Sequence, residues 1–488
     1  MKKDGWITLA SMLAALLIRL PFASHYLQHW DSVNYALSLE HYDVRLHQPH
    51  PPGYFLYSML GKLVNLVFHD ANASLVAISI VSGTLGIGAL YWFGLRVLNR
   101  QAALAAVILA IASPLLWFES EVALNYALDF LLVTLTAWLF FEQRRDGKKY
   151  WFWSALVFGV TAGVRLHDLV FLGLLWLWSL IALTWKQRIF SLLVLAATCL
   201  AWLIPMAAMS GGWNGFLSAF MAESTVIGSE ASFFVIDQLG LNLGRFGIYL
   251  IYGLMAAWLP LAYGAWQALH RWRQAIRHHL SLPFALWLIP AALFFVFIHI
   301  RQSGHVILLM PALFVLAGWS VSAWLEQLKR PAVGWGVVSL LGILNAVFFL
   351  AAPMALLGSN RLPLLTPSRA GIEERDQFIG TRLTAIRQDF DPARTAVVAG
   401  GLYIRNPDFY LRDFRATDLS YRLPVQEEAL PEKINTLVFF DNQVFTDLEN
   451  PRLQRLTLPD GSELRYLNWQ PGERLWISQG SIEIRSNP

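Results

Sequence analysis

The segment RVLNRQAALAAVILAIASPLLWFESEVALNYALDF, residues 96–130, decides how the chain is to be read. Arg96 and Arg100 stand at its start and residues 102–118 form an apolar run. Glu119 and Glu121 close that run, and apolar character resumes over 122–141. A helix needs about 20 mostly apolar residues to cross a bilayer. Two such runs joined by a short acidic turn read as a transmembrane hairpin, with its arginines at one membrane face and its carboxylates at the other.

The same pattern extends along the whole chain. Of its 488 residues, 56% are hydrophobic and 14% charged, with a mean hydropathy of +0.47. An ordinary soluble domain carries roughly 25% charged residues. Residues 1–356 hold 36 of the 70 Asp, Glu, Lys and Arg, and residues 357–488 hold the other 34. A membrane domain over 1–356 is therefore expected to precede a water-soluble domain over 357–488. The net charge of +4 divides into +6 and −2 between them. Basic residues are scattered between apolar runs, which excludes a nucleic-acid surface. The single cysteine, Cys199, excludes an intramolecular disulfide and a thiolate metal site. The start, Met1-Lys2-Lys3 and an apolar run, imitates a secretory signal without a small-x-small cleavage site, and reads as a retained first helix.

Eleven segments qualify or nearly qualify as spans: 5–24, 74–97, 102–118, 122–141, 150–164, 169–185, 189–208, 245–266, 281–299, 306–325 and 333–356. A further stretch, 53–68, is short and contains Lys62. Lys and Arg near span ends concentrate in the cytoplasm. If 53–68 stays in the outer interface, fifteen cations from Lys2 to Arg330 fall on the cytoplasmic side. Only Arg45, Arg165, Arg245 and Arg301 then lie outside before the tail. If 53–68 crosses, that bias inverts. The sequence thus predicts a polytopic α-helical membrane protein with about 11 spans, the N-terminus inside and the tail outside. Loops 25–73 and 209–244 are external. The tail reads as α/β, with a helix over 371–389, strands over Thr395–Tyr403 and Ile434–Asp441, and hairpin turns at Asp460-Gly461 and Gln479-Gly480.

Candidate chemistry collects on the external side. The first loop, residues 25–57, reads HYLQHWDSVNYALSLEHYDVRLHQPHPPGYFLY. Asp31 heads an amphipathic helix over 32–41, a position that also suits a helix cap. His50-Pro51-Pro52-Gly53-Tyr54 gives a rigid, extended entry to the next apolar run. Glu119 and Glu121 lie at a membrane edge, where a carboxylate can simply be solvated. Asp129 lies two turns deeper, and an acid inside a membrane is a functional candidate. Its plainer role is a structural acid paired with Arg19 or Arg165. Arg165, His167 and Asp168 share one tight turn, and Arg301 and His305 share another. Two cationic turns on one face suit an anionic group such as a phosphate, although snorkelling to headgroups also explains lone arginines. Five of the 12 histidines (His25, His29, His41, His47 and His50) fall within 26 residues without a helical metal spacing. A divalent cation, Mg or Mn, is the one cofactor left open; Glu121 would either hold it or orient the acceptor, and its other ligands are unknown.

These pieces occur in a telling order: a first span, a loop with an early acid, HPPGY, then RVLNRQAALAAVILAIASPLLWFESEVALN and a basic hairpin. In that order the chain resembles the GT-C class of membrane glycosyltransferases, which includes protein O-mannosyltransferases, aminoarabinose transferases and the catalytic subunit of oligosaccharyltransferase. The likeness covers roughly residues 6–330 in layout and is densest over 30–60 and 96–130. It implies an integral protein of the bacterial inner membrane with a periplasmic tail. The implied activity moves a hexosyl or pentosyl group from a polyprenyl-phosphate-linked donor to a hydroxyl of a glycan, lipid or protein acceptor, with inversion. Asp31 matches the position of the base, and Glu121 the second loop acid, for which Asp129 competes. Arg165 matches the cation for the lipid phosphate, and Arg301 or His305 the corresponding late turn. The paired acids of the O-mannosyltransferase first loop are absent, since Asp31 stands between Trp30 and Ser32. Loop 209–244, with Trp213, Glu223 and Glu230, is expected to close over donor or acceptor. The competing readings are a polysaccharide polymerase or ligase, and a lipid-linked sugar flippase or transporter. The chain lacks the repeated halves usual in transporters.

Overall fold

The computed structural model describes residues 2–232, 238–271, 273–274, 278–351, 367–418, 425–442, 445, 450–470, 473–478 and 481–486. The chain divides into two compact units, one of residues 1–23 with 42–371 and one of residues 24–41 with 372–488. The expected domain boundary at 356 lies outside the described residues. Residues 24–41, expected among the loops of the membrane part, group with the tail.

The first unit is helical. Six of the described helices are long and apolar enough to cross a membrane: Lys2–Phe22, Ala71–Val97, Trp185–Met209, Gln238–His270, Ser303–Leu325 and Pro331–Ala351. Phe55–Phe68, Arg100–Ile111 and Ser281–Phe297 are shorter apolar helices. Tyr126–Arg145 and Gly147–Val164 form a further hairpin. Small residues set the spacing between helices, because without bulky side chains two backbones approach closely. A Cβ on Gly318 would lie 2.2 Å from the Ala102 carbonyl oxygen, and one on Gly94 would lie 3.0 Å from the Ala103 Cα.

Two expectations are corrected here. The run 102–118 is not one helix: Arg100–Ile111 ends, and Pro114–Glu119 starts afresh with Pro114 in its first turn and the Ser113 side chain accepting from the Leu116 amide. Proline lacks the N–H that a continuing helix needs, and it suits a helix start. Nor is 209–244 a loop, since Gly212–Ala231 and Gln238–Leu254 are both helices.

The second unit is a mixed α/β layer. Its main sheet has the order β2-β1-β4-β6-β5, from Arg415–Asp418, Thr395–Ala399, Thr436–Phe439, Glu463–Asn468 and Leu453–Thr457. β1 runs parallel to both β2 and β4, whereas β6 is antiparallel to β4 and β5. Helix Arg369–Asp389 covers one face, its Ile379, Leu383 and Ile386 packing on Val397, Val438 and Leu464. A second sheet orders Val425–Ala429, Glu473–Ser478 and Ser481–Ser486 as β3-β7-β8. Asp460-Gly461 forms the expected turn between β5 and β6, with Gly461 at φ +79°. The turn expected at Gln479-Gly480 lies outside the described residues. Residues 24–41 are stitched to this layer. Asp376 accepts from the amides of His25 (2.7 Å) and Tyr26 (3.2 Å) and from Gln28 Nε2 (2.8 Å). Arg412 grips Glu40 through two 2.8 Å bonds, and Trp30 packs on the cluster around Phe439 and Phe445.

Candidate active site

In the first unit, Arg165 ends helix Gly147–Val164 in an extended conformation. Its Nη1 donates to Asp129 Oδ2 at 2.9 Å, with the side chains only 6% and 0% exposed. Asp129 therefore pairs with Arg165 and not with Arg19. The guanidinium also lies 5.5 Å from the centre of the Tyr126 ring, near enough for a cation–π attraction. The Tyr126 hydroxyl donates to Gln302 Oε1 at 2.9 Å, and the His305 ring stands 6.2 Å from the Tyr126 ring. A Cβ on Gly304 would fall 2.2 Å from that ring, so the late turn can reach Tyr126 only through a glycine. Tyr126 thus joins the two turns that the sequence singled out separately.

His50 and Tyr54 reach the same neighbourhood. Their rings are 4.8 Å apart, His50 acts electrostatically on His167, and Tyr54 acts on Arg165. Burial, reinforced by Arg165 and His50, holds His167 down at about 4, so it is neutral at physiological pH. Asp168 is fully buried beside Asp129. In this turn the positive charge is therefore carried by Arg165 alone. Arg301 is exposed, and its turn is anchored from helix Gln238–Leu254: Tyr249 donates to the Arg301 carbonyl at 3.2 Å and Arg245 to the Ile300 carbonyl at 3.4 Å.

Glu119 and Glu121 are not solvated at a membrane edge; they are 1% and 0% exposed. The Trp117 indole N–H donates to Glu121 Oε1 at 2.5 Å, and the indole stacks on Phe349 at 4.4 Å. Burial pushes the Glu121 carboxyl well up, against the pull of the buried Arg19 guanidinium.

In the second unit, Asp31 is 4% exposed in the first turn of helix Trp30–Glu40. It is not the cap. His29 fills that position, its Nδ1 accepting from the Asp31 amide at 3.1 Å. His29 Nδ1 lies 3.4 Å from Asp31 Oδ2.

Residues 41–189 match the family model of the protein O-mannosyl-transferase TMEM260 N-terminal domain. In fold, the chain is similar to the crystal structure of ArnT from Cupriavidus metallidurans bound to undecaprenyl phosphate. That match has 14% identity and a TM-score of 0.58, and covers 95% of this chain and 98% of that one. The apo form of the same protein matches at 14% identity and a TM-score of 0.56, covering 96% and 98%. The Archaeoglobus fulgidus oligosaccharyltransferase, solved in complex with Zn and sulfate, matches at 12% identity and a TM-score of 0.46, covering 89% and 67%. No curated protein matches the sequence. The chain shares the fold of ArnT over nearly its whole length.

The first unit gathers His50, Tyr54, Asp129, Arg165 and His305 into one polar neighbourhood and Glu121 into another with Arg19. Among the described residues there is no group of three or more His, Cys, Asp or Glu arranged to hold a metal ion. Three residues of these neighbourhoods escaped the sequence reading: Tyr126, Gln302 and Trp117. Gln302 is adjacent to Arg301, and Trp117 stands one helical turn before Glu121. Their neighbours in sequence were the available signal.

Proposed function

We propose that this chain is a membrane glycosyltransferase that moves a sugar from a polyprenyl-phosphate-linked donor to an acceptor hydroxyl at the external membrane face, with inversion at the anomeric carbon. The observation that carries the reading is the convergence of two cationic turns, at Arg165 and at Arg301–His305, on Tyr126 within a GT-C fold. ArnT, whose fold covers nearly the whole chain, was crystallised with undecaprenyl phosphate. A polyprenyl phosphate leaves readily when its developing charge is stabilised by preorganised donors. Arg165, Arg301 and the His305 ring supply those donors.

Asp31 takes the proton of the acceptor hydroxyl, as the base does in inverting displacement at a sugar. Glu121 helps to orient the acceptor. A divalent cation at Glu121 is disfavoured by the positive charge of the buried Arg19 guanidinium that acts on it, so no step is routed through a metal. In this reading the protein has about 11 spans in a bacterial inner membrane. The N-terminus is cytoplasmic, the tail is periplasmic, and the tail helps to select a glycan, lipid or protein acceptor.

The decisive experiment is transfer from a labelled polyprenyl-phosphate sugar in proteoliposomes. Asp31→Asn is expected to abolish transfer while the protein still inserts and folds; near-normal transfer by that variant would falsify its role as base. Chelation of divalent cations is expected to leave wild-type transfer intact, and loss of activity restored by added Mg or Mn would reverse the assignment of Glu121.

A further inference from the structure

Asp129 Oδ1 and both oxygens of Asp168 are buried carboxylate oxygens that accept no hydrogen bond among the described residues. An unpaired buried acceptor costs about 1–3 kcal/mol, and more when it is charged. Asp168 lies within hydrogen-bonding reach of Asp129, yet an ionised carboxylate only accepts. Asp129 Oδ2 is already taken by Arg165. The charged and titratable groups facing this pair are few. Helix Tyr126–Arg145 contributes Asp129 and Tyr126, and the turn after helix Gly147–Val164 contributes Arg165 and His167. His50 and Tyr54 act on His167 and Arg165, and His299, neutral like His167, interacts with both. His167 is neutral, so a single arginine faces two buried acids.

We propose that Asp168 carries a proton, donates it to Asp129, and thereby acts as a positioning residue that fixes the Asp129–Arg165 pair for an anionic ligand. One proton turns two orphaned acceptors into a hydrogen bond and leaves one carboxylate for one guanidinium. The triad is then neutral; with both acids ionised it would carry a net negative charge and repel a phosphate. Burial and the neighbouring Asp129 both push the Asp168 carboxyl well above the usual carboxylate range, in the direction this arrangement requires. The shared proton stands on the burial of the two acids and their unpaired oxygens, and only the anionic ligand rests on the reading of Arg165 given above.

Two measurements on the full-length protein in nanodiscs separate these parts. Infrared spectroscopy at neutral pH is expected to show a protonated-carboxyl C=O band that Asp168→Asn removes. Unchanged intensity of that band in the variant overturns the shared proton. Binding of undecaprenyl phosphate is the second readout. Asp168→Asn keeps a neutral donor and is expected to bind within about twofold of wild type, whereas Asp168→Ala loses about tenfold. An Asn variant that binds about tenfold more weakly than wild type overturns the positioning role, whether or not Asp168→Ala folds. A wild-type protein that shows the band but binds no undecaprenyl phosphate defeats the reading of Arg165 while leaving the shared proton in place.

Discussion

Asp129 shows how much a single residue discloses about itself and how little about its partner. An acid within the apolar run 122–141 must be neutralised or paired, which the sequence alone makes plain. Arg19 and Arg165 stand at equally suitable span ends, and only three-dimensional packing decides for Arg165 at 2.9 Å. Removing one member of a buried pair leaves an uncompensated charge and costs about 3–5 kcal/mol. Asp129→Ala and Arg165→Ala are each expected to lower stability by roughly that amount, read from thermal unfolding in detergent. The double variant Asp129→Leu/Arg165→Met is expected to regain most of the lost stability without regaining transfer. Should the double variant stay as unstable as the single ones, the pair is not what holds this part of the fold. Should it regain transfer, Arg165 has no part in the reaction.

At the scale of elements, close approach is the property that sequence patterns hide. A Cβ at Gly318 would meet a backbone carbonyl at 2.2 Å, which cannot move aside, whereas one at Gly336 would meet nothing within 4 Å. Overpacking a tight contact costs about 1–3 kcal/mol. Gly318→Val is therefore expected to lower the unfolding temperature clearly and Gly336→Val hardly at all; equal effects would remove the helix contact as the cause. Helix Trp30–Glu40 offers a test by pH. The Arg412 guanidinium bonded to Glu40 holds its carboxyl below the ordinary value. A depressed carboxylate stabilises the fold above its unfolded pKa, and that contribution fades as pH falls through the folded value. Amide protection factors in residues 30–40, which correct for the intrinsic pH dependence of exchange, are expected to fall toward acid pH, and Glu40→Gln is expected to flatten that dependence. Apolar runs announced the spans, and strands β1 and β4 were legible because central strands bury nearly every residue. The edge strand β5, half-buried and exposed along its length, gave no such signal. The helix Gly212–Ala231 was hidden by its Gly and Ser content, which lowers helix propensity without forbidding a helix.

For the whole molecule, the grouping of residues 24–41 with 372–488 could not be read from the sequence. It depends on bonds such as that from the His25 amide to Asp376, 351 residues apart. That grouping constrains topology independently of any count of spans. Residues on either side of the segment 42–371 belong to one folded body, so a membrane-spanning chain of this layout crosses the membrane an even number of times between residues 42 and 371. Together with a first span, this gives an odd total, as an eleven-span reading requires. Positive charge then assigns the side. The single cysteine, Cys199, makes the test simple: in a Cys199→Ser background, His41→Cys and Lys433→Cys each place a thiol at an exposed position. Both are expected to react with an impermeant maleimide applied to intact cells. Labelling of one from outside and the other only after lysis would break the parity argument. Labelling of both only after lysis would keep the parity and invert the orientation, moving Asp31 and the tail to the cytoplasm and removing the external site.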